Sequence, residues 1–146
     1  MLKISTKGRY GLRVMLDLAV HEEEGLIPLR DIAARQELSE KYLEQIMMLL
    51  ARASLVRSAR GAQGGYALAR PADAITVGDV LRTTEGTLAP VDCASADAAG
   101  CPRAGDCVTR EVWRRIADAV DGVVDAMTLA DLRTLYQEKN PPDYCI

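Results

Sequence analysis

The chain is poor in histidine, the commonest general base of enzymes. Only one histidine, His21, occurs in 146 residues, so a hydrolase whose nucleophile is oriented by a histidine is disfavoured. No apolar run approaches the roughly 18 residues of a membrane span. The start "MLKISTKGRYGLR" is basic but has no uninterrupted apolar stretch and no small-residue cleavage site, so it does not read as a secretory signal. No Gly-Lys-Ser/Thr follows the glycines of "GAQGG", which removes a P-loop. Neither a CxxC pair nor a pair of histidines is present, so the familiar zinc-site spacings are missing. What remains is a cytoplasmic, globular chain of one ordinary domain, which buries roughly two thirds of its unfolded surface.

The charge that is present is unevenly placed. The net charge is −3, yet residues 1–70 hold 11 Lys+Arg against 8 Asp+Glu, whereas residues 71–146 hold 7 against 13. A basic half can face phosphate while an acidic half faces away. Such polarity is weak evidence by itself, because surface charge drifts along many chains.

Apolar spacing supplies the organisation. Leu12, Met15, Leu16 and Ala19 recur at helical spacing and predict a first helix that starts after Ser5 or Thr6 and ends near Gly25. "PLRDIAARQ" predicts a short second helix beginning with Pro28 and burying Leu29, Ile32 and Ala33. Ser39 is the expected N-cap of a third, with Leu43, Ile46, Met47 and Leu50 inward. Two helices so closely spaced make a helix-turn-helix. "LVRSAR" and "YALAR" then read as strands joined by the glycines of "GAQGG", and a hairpin directly after the second helix of that motif is a wing. Each piece occurs in proteins that never touch DNA; their order on the basic half predicts DNA binding.

After Pro71, Thr76 caps a short fourth helix with Asp79 three residues on and Gly86 as its stop. Thr109 is the expected cap of a long helix carrying Val112, Ile116, Val120, Val123 and Met127 as a stripe, and Thr128 caps a last, shorter one. The stripe reads either as intramolecular core or as a dimer seam suited to a two-fold DNA site. Between Gly86 and the long helix lie Cys93, Cys101 and Cys107, with gaps of seven and five residues. Clustered thiols in a reducing compartment bind metal or react more often than they form structural disulfides. Thiolates are soft ligands that suit iron–sulfur clusters, zinc or copper(I). A cluster, a zinc ion completed by one further ligand, and metal-free thiols all remain open on spacing alone. A thiol oxidoreductase is the enzymatic alternative, and it would need a reactive cysteine beside a base or a resolving partner.

"KISTKGRYGLRVMLDLA", "LSEKYLEQI" and "VRSARGAQGGYALARPADAITVGDVLRTTEG" resemble the Rrf2 family of bacterial transcription regulators over nearly the whole chain. The resemblance implies a mainly α fold with a small β-hairpin: a winged helix-turn-helix in residues 1–70, then a cysteine loop, a long dimerisation helix and a tail in residues 71–146. It implies a homodimeric repressor on a two-fold operator in double-stranded DNA, and no enzyme. Ser39, Lys41 and Tyr42 would meet backbone and bases, Glu44 and Gln45 would face base edges, and Arg60 would enter the minor groove; Tyr42 and Gln45 also read as packing or solvated residues.

Two branches of the family are similar to this chain. The iron–sulfur regulators carry three cysteines after the fourth helix, which makes Cys93, Cys101 and Cys107 the implied cluster ligands, of [2Fe-2S] or [4Fe-4S] type. Where that branch has a histidine three residues after the last cysteine, this chain has Arg110, and where the family's nitric-oxide sensors use an aspartate in the first helix, "TKGRY" has no acid. Cys145, Asp106 or an exogenous ligand are left for the fourth position. The cysteine-metabolism repressors generally lack the cluster. Their partner enzyme, O-acetylserine sulfhydrylase, takes terminal Ile-bearing peptides that the tail "KNPPDYCI" resembles, with Pro141 and Pro142 holding the end extended and Tyr144 and Ile146 as the implied contacts.

Overall fold

The computed structural model describes residues 3–95 and 100–143. Among these described residues six α-helices and one hairpin follow in chain order. Helix α1, Thr6–Val20, begins where Ser5 Oγ accepts from the Gly8 N–H, and it buries Val14, Met15, Leu18 and Ala19. It stops short of the predicted end at Gly25. Glu22–Glu24 form a single 3-10 turn instead, because three carboxylates oppose the negative end of a helix. Gly25, at φ +74°, then turns the chain.

Helices α2, Leu29–Gln36, and α3, Glu40–Arg52, form the helix-turn-helix. Pro28 sits at the cap rather than inside the first turn of α2. Glu37 takes the left-handed conformation at φ 55°, and Ser39 Oγ accepts from the Tyr42 N–H to start α3. Leu43, Ile46, Met47 and Leu50 of α3 are fully enclosed by α1, α2 and the elements that follow. Each such side chain contributes about 1.5–3 kcal/mol by its removal from water, which fixes the orientation of the helix and leaves its polar face outward.

The wing is β1, Val56–Ala59, paired antiparallel with β2, Gly65–Leu68, so the pairing begins and ends earlier on the second strand than "YALAR" suggests. The hairpin is anchored along β2, one residue from its turn. Tyr66 N–H donates to Ile27 O at 2.8 Å and Ile27 N–H donates to Tyr66 O at 2.9 Å. These elements make a mainly helical winged helix-turn-helix.

Helices α4, Val77–Glu85, and α6, Leu129–Lys139, start with complete capping boxes, Thr76 with Asp79 and Thr128 with Asp131. Glycine at position 11 lets α1 approach α4: a Cβ there would lie 2.9 Å from Thr84 Cγ2. Helix α5, Val108–Ala126, is capped at Cys107 and not at Thr109, which lies inside its first turn with its hydroxyl 3.3 Å from the Cys107 sulfur. Its predicted stripe divides. Val120 and Met127 pack with Val124 on Val77 and Leu81, whereas Val112 and Val123 are 50% and 62% exposed. Among the described residues no helix is long and apolar enough to cross a membrane.

Candidate nucleic-acid interface and cysteine loop

One outward groove joins α3 to the wing. Arg30, Glu40 and Glu44 line one side; Ser58, Arg60 and Tyr66 line the other. Glu44 and Arg60 therefore share one concave surface, although sixteen positions separate them in sequence. Ser39, Lys41, Glu44, Gln45 and Arg60 are all exposed. Among the described residues, no ion pair within 4.0 Å involves Lys41, Glu44 or Arg60. Their charges are available to a ligand. The first turn of α3 adds the partial positive charge of a helix N-terminus, which favours phosphate.

Tyr42 differs from the others. It is partly buried against the core, and its ring meets Tyr10 edge-to-face at 6.0 Å and 84°. Arg13 lies 5.2 Å from the Tyr10 ring centre and donates to Gln36 Oε1 and Gln36 O. Gln36 and Arg35 in turn donate to Asp17, whose carboxylate is 2% exposed. Hydrogen bonding to that carboxylate raises the Arg35 pKa above its ordinary value. Sequence reading missed this network, and Arg30 and Glu40 in the groove, because its links cross between helices that local spacing cannot relate. His21 is partly buried with Nδ1 2.9 Å from Asp17 O.

The 3-10 turn of the cysteine loop, Asp92–Ala94, packs on α5, which packs on α4. Cys93 occupies a 3-10 turn over Asp92–Ala94, Cys101 is exposed, and Cys107 precedes α5; all three thiols are free. The Cys107 thiol is held below the ordinary thiol range, first by the Thr109 hydroxyl and next by the Arg110 N–H. Arg110 supplies no ligand here. Its Nε donates to Cys93 O at 3.2 Å and ties the 3-10 turn to α5. Among the described residues, no three Cys, His, Asp or Glu side chains gather as a metal site, so Cys93, Cys101 and Cys107 are not brought together. Asp106 is exposed in the same loop. Cys145, Tyr144 and Ile146 lie outside the described residues.

Arg82 connects α4 to α5. Its guanidinium donates to Asp125 at 2.7 and 3.0 Å and to Asp121 at 2.6 Å. The same pairing holds the Asp125 carboxyl below the usual carboxylate range. Arg82 is 37% exposed, so solvent screens much of this attraction and the clamp orients more than it stabilises.

Known proteins share this arrangement. Residues 4–134 match the Rrf2 family, described as iron-dependent transcriptional regulators. The HTH-type transcriptional regulator CymR of Bacillus subtilis is 47% identical over 131 residues, covering 90% of this chain and 89% of that protein. The solved structure of CymR, the global cysteine regulator of B. subtilis, superposes with a TM-score of 0.76 over 92% of this chain and 98% of that one, at 48% identity. The structure of IscR from T. potens gives a TM-score of 0.77 at 41% identity over 98% and 94% of the two chains. These relatives are regulators and not enzymes, which removes the thiol oxidoreductase. A winged helix-turn-helix with a groove shared by α3 and the wing, matched to the family over residues 4–134, places the chain in the Rrf2 family of transcriptional regulators.

Proposed function

We propose that this regulator acts in the cytoplasm as a homodimeric repressor, that it reads a two-fold DNA site with α3 and the wing, and that the cysteine loop controls it. The groove shared by Glu44 and Arg60 carries the reading. Ser39 and Lys41 meet phosphate at the start of α3. Tyr42 packs at the same end with its hydroxyl available to the backbone. Glu44 and Gln45 face base edges; a carboxylate accepts only from a base amino group such as that of cytosine. Arg60 enters the minor groove, where negative potential is focused. The open face of α5, with Val108 83%, Val112 50% and Val123 62% exposed, is the dimer seam.

The donor chemistry of the loop fits a soft metal centre. Three free thiols are present and the Cys107 thiol favours its thiolate. Cys93, Cys101 and Cys107 would hold an iron–sulfur cluster, with the fourth position open to Asp106, Cys145 or an exogenous ligand. Such a cluster supplies a group whose charge and occupancy follow redox and iron supply. The chain's own residues carry the response. Arg110 links Cys93 to α5, Arg82 links α5 to α4, and Ser5 at the cap of α1 bonds Glu85 of α4. A shift at the loop therefore reaches α1 and the helix-turn-helix through contiguous contacts. Protein purified without oxygen is expected to show visible absorption with iron and sulfide bound, all lost in Cys107→Ala while the winged half stays folded. Equal iron in parent and variant sinks the cluster, and stoichiometric zinc without iron replaces it with a zinc site.

A second reading rests on the 48% identity to the global cysteine regulator of B. subtilis. Here the loop holds no cluster, and the end after Pro142, with Tyr144 and Ile146, docks in O-acetylserine sulfhydrylase. A peptide of the last eight residues is then expected to bind the enzyme and compete with its substrate. Removing Ile146 abolishes this, and a calorimetric blank for peptide and full protein ends the reading.

A further inference from the structure

Among the described residues Asp17 is the only buried carboxylate, and the function proposed above does not use it. Its side chain is 2% exposed and receives three hydrogen bonds, from Arg35 Nε at 2.9 Å, Arg35 Nη2 at 2.7 Å and Gln36 Nε2 at 2.9 Å. A carboxylate only accepts, whereas an amide has one accepting and one donating end. Asp17 therefore forces Gln36 to turn its NH2 inward and its Oε1 outward. That outward oxygen accepts from Arg13 Nε at 3.1 Å, and the Gln36 carbonyl accepts from Arg13 Nη2 at 3.2 Å. Arg13 is thus held over the Tyr10 ring, and Tyr10 abuts Tyr42 in the first turn of α3.

We infer that Asp17 is a positioning residue for DNA binding: by fixing the sense of the Gln36 amide it holds Arg13, Tyr10 and Tyr42 at the leading end of the recognition helix. The chain of contacts runs from the last turn of α1, across the last turn of α2, to the residue whose N–H Ser39 caps. It spans the left-handed turn at Glu37 that joins α2 to α3. An asparagine at position 17 can also donate, so the Gln36 amide is free to reverse, and a reversed amide presents its NH2 to the Arg13 guanidinium. Arg13 then leaves, and Tyr10 and Tyr42 lose their support. Asp17 touches no DNA in this account.

The inference rests on the α3 and wing interface proposed above, and its test separates the two. The probe is the duplex that the parent protein selects from a random pool, with binding followed by fluorescence anisotropy across a salt series and folding followed by thermal melting. Asp17→Asn is expected to bind about tenfold more weakly with an unchanged salt slope, because no phosphate contact is removed. The double variant Asp17→Asn with Gln36→Glu restores an acceptor facing Arg13 at the same net charge, and it is expected to recover the affinity to within about threefold. Gln36→Met leaves the buried Asp17–Arg35 pair intact, so it stays folded if Asp17→Asn does not, and it is expected to lose the same tenfold. Parent-like binding by Gln36→Met, or a double variant that melts like the parent yet binds no better than Asp17→Asn, overturns the role of Asp17. Arg60→Ala is the control for the interface: if it too binds like the parent, the interface reading fails, and if it alone is weak, only the Asp17 inference falls.

Discussion

Replacing Gly65 with alanine tests how the wing is aimed. Gly65 opens β2 opposite Ala59, at φ +154°, and a Cβ there would collide with the Ile27 carbonyl and stand 2.8 Å from Pro28 N. These are backbone atoms that cannot swing aside. The clash is relieved by opening the Ile27–Tyr66 bridge, which loses two hydrogen bonds worth about 1 kcal/mol each. The backbone conformation adds about 1–2 kcal/mol for a residue with a side chain. The expected loss is therefore about 3–4 kcal/mol, less than the roughly 5–15 kcal/mol that holds a domain folded. Gly65→Ala should remain folded at 25 °C, with a urea midpoint lowered by about 1–4 M. Because the bridge anchors the hairpin that carries Arg60, operator affinity should fall as well. Gly25→Ala is the comparison, since Gly25 has φ +74° but nothing within 4 Å of the added Cβ; it should cost about 1 kcal/mol of stability and leave DNA binding alone. A Gly65→Ala variant that unfolds and binds like Gly25→Ala would refute the anchoring argument.

Arg60→Ala should weaken specific binding by about 1–3 kcal/mol and lower the salt slope by about one; titration at several salt concentrations measures both. Val112→Asp places a charge on the open face of α5 without a partner, which should shift the dimer to monomer in sedimentation and depress operator binding with it. In metal-free protein the Thr109 hydroxyl and Arg110 N–H favour the Cys107 thiolate. Alkylation of Cys107 should therefore reach half its maximal rate at a pH below the roughly 8.5 of free cysteine, and Thr109→Val should move that midpoint up. A midpoint at or above the free value would remove this environment from the account.

Much of the fold is legible where one residue decides a local geometry. Ser5, Ser39, Thr76 and Thr128 were all readable as caps because a hydroxyl two or three residues ahead of an orphan N–H has one good use. Thr109 misled because the helix begins one residue earlier, at Val108, so its hydroxyl stands inside the first turn and meets the Cys107 sulfur. The end of α1 was misread because an apolar period says nothing about three glutamates gathering at the negative end of a helix. The stripe on α5 was visible, but its division into Val120 and Met127 facing inward and Val112 and Val123 facing out depends on where α4 lies. The same holds for the candidate site. Ser39, Lys41, Glu44, Gln45 and Arg60 were legible from motif and order, whereas the Asp17 network joins residues 18 to 23 positions apart through hydrogen bonds alone.

The central claim is that Glu44 and Arg60 read DNA from one groove, and selection of bound sites from a random duplex pool tests it most directly. The parent protein is expected to enrich a two-fold sequence with a fixed cytosine in each half, and Glu44→Ala is expected to enrich the same two-fold frame with that position relaxed, because only the carboxylate accepts from the cytosine amino group. No enrichment by the parent, or the same cytosine enriched by the variant, would contradict it.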